Sequence, residues 1–273
     1  MRYKGIHITC EAAEQEVWIA YLSDFSFESF QEGERLSAFM NSENWEKEKN
    51  SVINFLKSES LSFSEEDFED VNWNAEWEKN FEPLDIDGKI HVRADFHPKN
   101  TSAEAEIIIT PQMSFGTGHH ATTYLMLEEM HDMDFKGKEV LDMGSGTGIL
   151  GIYASMKGAK SILATDIEEW AIENAKENMS RNAVSNMKVI QADIDKVDGA
   201  SRFEVIIANI NRNVLIAHLP SYFKLMSSEA HLLLSGILSE DKNMMHELCS
   251  KLGLELVKEK ERGNWTMLHF RKP

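Results

Sequence analysis

Residues 140–148 read VLDMGSGTG: a short apolar run closes on Asp142, and Gly144, Gly146 and Gly148 follow at alternate positions. The apolar helical pattern GILGIYASM comes next, so the glycines fall at a strand-to-helix turn. Bare backbone there can approach a ligand, and unpaired amides face it. A nicotinamide-type fingerprint needs glycine at its first, third and sixth positions. Counted from Gly144, the sixth position is Ile149, and that fingerprint fails. A tight turn that holds no ligand remains the plain alternative.

Outward from this turn, apolar runs and helical patterns alternate toward the C-terminus. EVLDMG, SILATDI, MKVIQAD, FEVIIANI and AHLLLSGIL read as strands, with EEWAIENAKENMSRNA, RNVLIAHLPSYFKLM and SEDKNMMHELCSKLG as helices between them. This rhythm predicts a parallel sheet with helices on both faces. LELVKEK and WTMLHFRK are separated only by ERGN, which predicts an antiparallel hairpin at the sheet edge. GKIHVRADF and AEIIIT, ahead of the turn, also read as strands. A doubly wound, seven-stranded Rossmann-like sheet that ends in this way resembles class I methyltransferases, and the glycine turn resembles the Asp-x-Gly-x-Gly-x-Gly loop of S-adenosylmethionine enzymes.

Upstream, the pattern is different. YKGIHIT alternates as a strand, EAAEQEVWIAYLSDF has helical spacing, RLSAFM is a short strand and NWEKEKNSVINFL is again helical. A small α+β (ferredoxin-like) domain is expected over residues 1–62. Residues 63–80 are expected to form a connecting helix, with Trp73 and Trp77 four apart on one face as packing anchors. The sheet domain then covers 81–273.

The chain has 273 residues, 42% of them hydrophobic and 27% charged, an ordinary globular composition at a length that favours two domains. Its two cysteines, Cys10 and Cys249, fit a reducing cytoplasm better than a disulfide framework. No apolar run is long enough to span a membrane, and the opening MRYK leads into an amphipathic segment, so a soluble, unexported protein is expected. The net charge is −18, and residues 1–70 alone carry 16 acidic against 6 basic side chains. Such a face repels phosphate backbones and attracts basic proteins, which argues against direct nucleic-acid binding. A solvated acidic surface that serves solubility is the other reading.

Polar residues close the apolar strands where ligands collect in open α/β sheets. Asp166 ends LATDI, 22 residues after Gly144, where a carboxylate can accept both hydroxyls of a ribose or cap the following helix. Asp193 ends IQAD, suited equally to adenine contact and to capping. Asn209 ends IIANIN, facing the point where strand order reverses, as an active-site amide or a turn residue.

Residues 111–123, PQMSFGTGHHATT, precede the helix before the first cofactor strand. Thr117 and Gly118 lie in a loop expected to fold over the cofactor, with Phe115 as its apolar cover. His119 and His120 are read as proton relays or as loop structure; as metal ligands they lack a Cys or carboxylate cluster. This segment resembles the hallmark of the ribosomal protein L11 methyltransferases, the PrmA family, matching at Pro111, Met113, Phe115, Gly116, Thr117, Gly118, His120, Thr122 and Thr123. The resemblance continues through VLDMGSGTGIL, TDIE, ANI and LLLSGIL, covering roughly residues 70–273.

That resemblance implies S-adenosyl-L-methionine as cofactor, held by Thr123, Gly144, Asp166 and Asn209, with Gly146 in the same loop. It implies a basic ribosomal protein, L11, as substrate, recognised by the N-terminal domain, and methylation of its amino groups. The Pro-Pro-Tyr that follows this asparagine in glutamine and adenine methyltransferases is missing here, which favours amine substrates. The other readings are a class I methyltransferase of another protein or small-molecule amine, and a non-catalytic cofactor-binding assembly factor.

Overall fold

The computed structural model describes residues 3–11, 14–22, 25–27, 29–31, 33–68, 82–100, 102–110, 118, 120–200 and 202–273. Two compact units divide at Asn80 and Phe81.

In the first unit, strands β1 (Tyr3–Thr9), β2 (Ser29–Gln31), β3 (Leu36–Asn41) and β4 (Ser62–Phe68) form an antiparallel sheet in the order β2-β3-β1-β4. Helices α1 (Gln15–Leu22) and α2 (Ser42–Ser58) complete a β-α-β-β-α-β chain order, the ferredoxin-like arrangement. The Asn41 side chain caps α2 by accepting the Asn44 amide at 2.8 Å. Trp45, Val52 and Leu56 lie seven and four residues apart along α2 and bury one stripe against Ile6, Ile8, Ala38 and Met40 of the sheet. Truncating Trp45 to alanine removes the largest of these side chains, a change that costs about 3–5 kcal/mol in a packed core.

Two features differ from expectation. Residues 62–68 are a strand of this sheet rather than the start of a connecting helix. The charged stretch SFSEEDF pairs because β1 supplies the counter-groups: Lys4 Nζ donates to Asp67 Oδ1 at 2.8 Å and reaches Glu65 at 3.2 Å, and His7 Nε2 lies 2.8 Å from Glu66. Strand β2, three residues long, is too short to leave a periodic signal. Trp73 and Trp77 lie outside the described residues.

In the second unit, β8 (Glu139–Met143), β9 (Ser161–Asp166), β10 (Met187–Gln191), β11 (Phe203–Asn209), β12 (Met226–Leu238), β13 (Glu255–Arg262) and β14 (Trp265–Arg271) form one sheet in the order β10-β9-β8-β11-β12-β14-β13. The first five are parallel; β14 is antiparallel to both of its neighbours. The expected hairpin is therefore present, with β14 inserted and β13 at the edge. Val205, Ile206, Ile207 and Ala208 of β11 are all fully buried, as a central strand covered on both faces requires. The strand order reverses between β8 and β11.

Helices α3 (Ala121–Asp132), α4 (Ile149–Met156) and α5 (Glu169–Arg181) pack one face of the sheet, and α6 (Arg212–Leu225) and α7 (Lys242–Lys251) pack the other. Strands β5 (Leu84–Ile86), β6 (Ile90–Arg93) and β7 (Ala105–Ile108) form a separate three-stranded sheet and do not join the large one. Asn178 of α5 and Asn182, the residue that caps its C-terminus, fasten the end of β7. Asn182 accepts the Ile108 amide at 2.8 Å and donates to the Ile108 carbonyl at 2.7 Å, while Asn178 accepts the Thr110 amide at 2.8 Å.

Candidate active site

The carboxyl ends of the parallel strands open onto a cavity of about 510 Å³, where ligands bind in doubly wound sheets. The glycine turn after β8 forms one wall. Gly144 has φ +66°, and a Cβ there would run into the Ile210 side chain. Gly236 of β12 has φ +85°, and a Cβ there would strike the Ile210 carbonyl. These two bare positions clamp Ile210 between the turn and β12, which sets the Asn209-Ile210-Asn211 segment at the cavity edge.

Asp166, at the end of β9, lines the cavity while fixing the turn. Its Oδ2 accepts the Gly146 amide at 2.9 Å and its Oδ1 accepts the Glu168 amide at 3.1 Å. Glu168, rather than Asp166, is the N-cap residue of α5. Asp193 also lines the cavity and caps the short helix Ile194–Lys196, accepting the Ile194 amide at 2.7 Å. The capping role and a cavity-facing position thus coexist at Asp193. Asp142 stands behind the turn, fully buried, and accepts the Gly151 amide at 2.9 Å. Burial pushes its carboxyl up to about 7, with the Gly151 amide opposing and the charge of Asp166 adding to the rise.

Asn209 ends β11, 8% exposed. Its Nδ2 donates to Thr123 Oγ1 at 3.2 Å, and its Oδ1 is buried without a hydrogen-bond partner among the described residues. Leaving such an acceptor unmade costs on the order of 1–3 kcal/mol, so this oxygen calls for a donor that the described residues do not supply. Thr123 does not line the cavity: it is fully buried on α3 and bears on the site through Asn209.

His120 is the N-cap residue of α3, with Nδ1 2.8 Å from Thr122 Oγ1. It lines the cavity with its ring edge-on to Trp265 at 4.8 Å. Trp265 opens β14 directly after the hairpin turn; on the other side of that turn the Arg262 guanidinium lies over the Tyr124 ring at 3.6 Å, so α3 anchors the hairpin end. A Cβ on Gly118 would meet the side chains of Leu84, Val92 and Ile149, and Gly118 is not among the cavity-lining residues. Phe115, Thr117 and His119 lie outside the described residues. Among the described residues no cluster of three metal-ligating side chains occurs.

Several lining residues carry no sequence motif. Asn211, Val214 and His218 come from the first turns of α6, and Ile167 and Trp170 from the entry to α5. The first three are three and four residues apart, so their shared face is a readable helical signal. Ile167 and Trp170 are 62% and 47% exposed, and large apolar groups left open at a cavity rim are the mark of a ligand surface.

Comparison with known proteins agrees with this architecture. The sequence model of the family described as ribosomal protein L11 methyltransferase (PrmA) matches residues 3–273. A ribosomal protein L11 methyltransferase of Phocaeicola vulgatus is 39% identical, with 99% of each chain covered; one of Porphyromonas gingivalis is 45% identical over 76% of this chain and 72% of its own. The crystal structure of a ribosomal protein L11 methylase from Lactobacillus delbrueckii subsp. bulgaricus superposes with a TM-score of 0.63 at 25% identity, covering 71% of this chain and 100% of that one. The chain belongs to the ribosomal protein L11 methyltransferase family.

Proposed function

We infer that this protein is an S-adenosyl-L-methionine-dependent methyltransferase that methylates ribosomal protein L11, and that the atoms receiving the methyl groups are amines, on lysine side chains, the N-terminus or both. The observation that carries the site assignment is the buried, unpartnered Oδ1 of Asn209 at the reversal point of the sheet. The cavity fits the cofactor: about 510 Å³ lies within the roughly 300–1,000 Å³ of small-molecule sites. Gly144 leaves open backbone where a side chain would intrude, and Asp166 offers acceptors suited to a ribose diol. Gly144, Gly146 and Asp166 would hold the nucleoside, and Asp193 would meet the base. The bound cofactor supplies an electrophilic methyl group on a cationic sulfur.

A lysine amine with a pKa near 10.4 must first lose its proton, at a cost of about 4–5 kcal/mol at pH 7. Asn209 Oδ1 then accepts an N–H of the neutral amine and aims its lone pair; Thr123 holds the amide so that this oxygen faces the cavity. Trp265 and His120 line the wall beside it and exclude water. The acidic N-terminal unit supplies recognition of the basic protein substrate, and the enzyme works in the cytoplasm, where that substrate is made, without binding nucleic acid itself. Labelled S-adenosyl-L-methionine incubated with isolated L11 tests this reading, with mass spectrometry locating the methyl groups. Incorporation into L11 amines supports it, and labelling of another class of group or none at all overturns it.

A further inference from the structure

One hydrogen-bonded row in the cavity wall has no part in the scheme above. Asn211, Val214, His218 and Tyr222 fall three to four residues apart along α6 and share a face. The first three line the cavity, and Tyr222 lies beneath them, fully buried. The Tyr222 hydroxyl is 3.3 Å from His218 Nδ1, with the two rings perpendicular at 5.8 Å. On the other side of the imidazole, Nε2 is 3.3 Å from Asp193 Oδ1.

This order of groups sets the proton positions. Burial pushes the Tyr222 phenol far above its ordinary range, and the charge of Asp193 adds to the effect, so the phenol keeps its proton and donates it to Nδ1. The imidazole hydrogen is then on Nε2, facing Asp193. Asp193 Oδ1 already accepts the Ile194 amide at 2.7 Å. Two donors therefore converge on Oδ1, and Oδ2 has no partner among the described residues. Asp193 follows β10, the neighbour of β9. With a ribose at Asp166, the base of a nucleoside extends one strand outward, to Asp193.

We propose that His218 is a positioning residue for base selection: braced by Tyr222, it holds the Asp193 carboxylate in the one orientation that presents Oδ2 to the exocyclic amine of adenine. The proposal rests on the cofactor reading above and adds to it a source of selectivity on α6. Asp193 would remain a helix cap without His218, but its carboxylate would be free to turn.

The test compares two ligands by calorimetry: S-adenosylhomocysteine and its 6-deamino analogue, which carries purine in place of adenine and lacks only the donor. The full-length wild type should prefer the adenine ligand by about tenfold or more, the scale of one hydrogen bond to a charged acceptor. In His218→Leu that preference should collapse to under about threefold, through weaker binding of the adenine ligand alone. Tyr222→Phe, a milder change, should move selectivity the same way by about threefold and carries the test if the leucine variant does not fold. His218→Gln, which keeps an N–H donor, should recover part of the preference. Parallel loss of both ligands, or undiminished selectivity in both variants, overturns the proposal and leaves His218 a packing residue. A wild type that binds neither ligand overturns the cofactor reading itself.

Discussion

Asn209 Nδ2 and Thr123 Oγ1 meet at 3.2 Å across 86 positions of chain, joining the end of a central strand to the first turn of α3. Because the amide nitrogen is engaged there, its oxygen is left buried, with no hydrogen-bond partner among the described residues. Thr123→Val keeps the shape of the side chain and removes the hydroxyl that accepts from Asn209, so the Asn209 amide should lose its fixed orientation. Single-turnover methyl transfer at saturating cofactor should slow about three- to tenfold, the scale of one net hydrogen bond. Asn209→Ala should slow it by about 10²-fold or more, because misplacement costs that much where positioning dominates. Wild-type transfer rates in both variants would show that something other than this amide orients the amine.

The observed role of Asp166 and its proposed one can be separated. Its carboxylate holds the glycine turn through the Gly146 amide and is the acceptor assigned to the ribose. Asp166→Ala should weaken S-adenosylhomocysteine by about 1–3 kcal/mol through lost charge-assisted hydrogen bonds. A ligand truncated to adenine should lose less, because it makes no ribose contact. Equal losses for the two ligands would assign the whole effect to the turn.

That Asp166 and Asn209 end their strands at the cavity was legible in the sequence, because each is the polar residue that closes an apolar run. The doubly wound sheet was legible from its alternating rhythm. Strand β4 was not, because its charges concealed an alternation that only Lys4 and His7 on the neighbouring strand make favourable. Strands β6 and β7 read correctly as strands, but periodicity does not say which sheet a strand joins. Trp265 and His218 reach the cavity from the last strand and the middle of a helix; only the three-dimensional path brings them into one cavity with Asn209 and Asp193. Thr123, assigned to the cofactor by resemblance, is buried and bonds Asn209, a link that no sequence pattern shows.

The buried Asp142 gives stability a pH dependence of unusual sign. Its folded pKa is raised to about 7 from an ordinary value of 3.8, by burial first. Between those values the unfolded chain has released a proton that the folded chain retains. The group's contribution is therefore full below about pH 3.8 and is lost as pH rises through 7. Asp142→Asn keeps an acceptor for the Gly151 amide and does not titrate. Its melting temperature relative to the wild type should climb between pH 5 and pH 7 and level off above that, whatever the offset at pH 5. A difference that stays constant across that range would mean that Asp142 ionises in the folded protein as it does in the unfolded one.

Substrate capture is the step assigned to the N-terminal unit, and the observed sheet alters how it should be tested. Ending a deletion at residue 62 would leave β4 without the strand it pairs with, exposing a row of unpaired backbone groups. Removing residues 1–80 takes the whole compact unit. The remaining chain retains the seven-stranded sheet, both of its core clusters and every described residue that lines the cavity. Its affinity for S-adenosylhomocysteine should stay within about twofold of the full-length protein, since none of the assigned contacts is lost. Methylation of L11 should fall to background. In the intact enzyme, raising the salt concentration should increase the KM for L11 more than it lowers kcat, because screening acts on the attraction between an acidic surface and a basic partner and not on the buried amide that orients the amine. A truncated enzyme that methylates L11 at the full-length rate would place recognition in the sheet unit, with the exposed Ile167 and Trp170 at the cavity rim as the first residues to substitute.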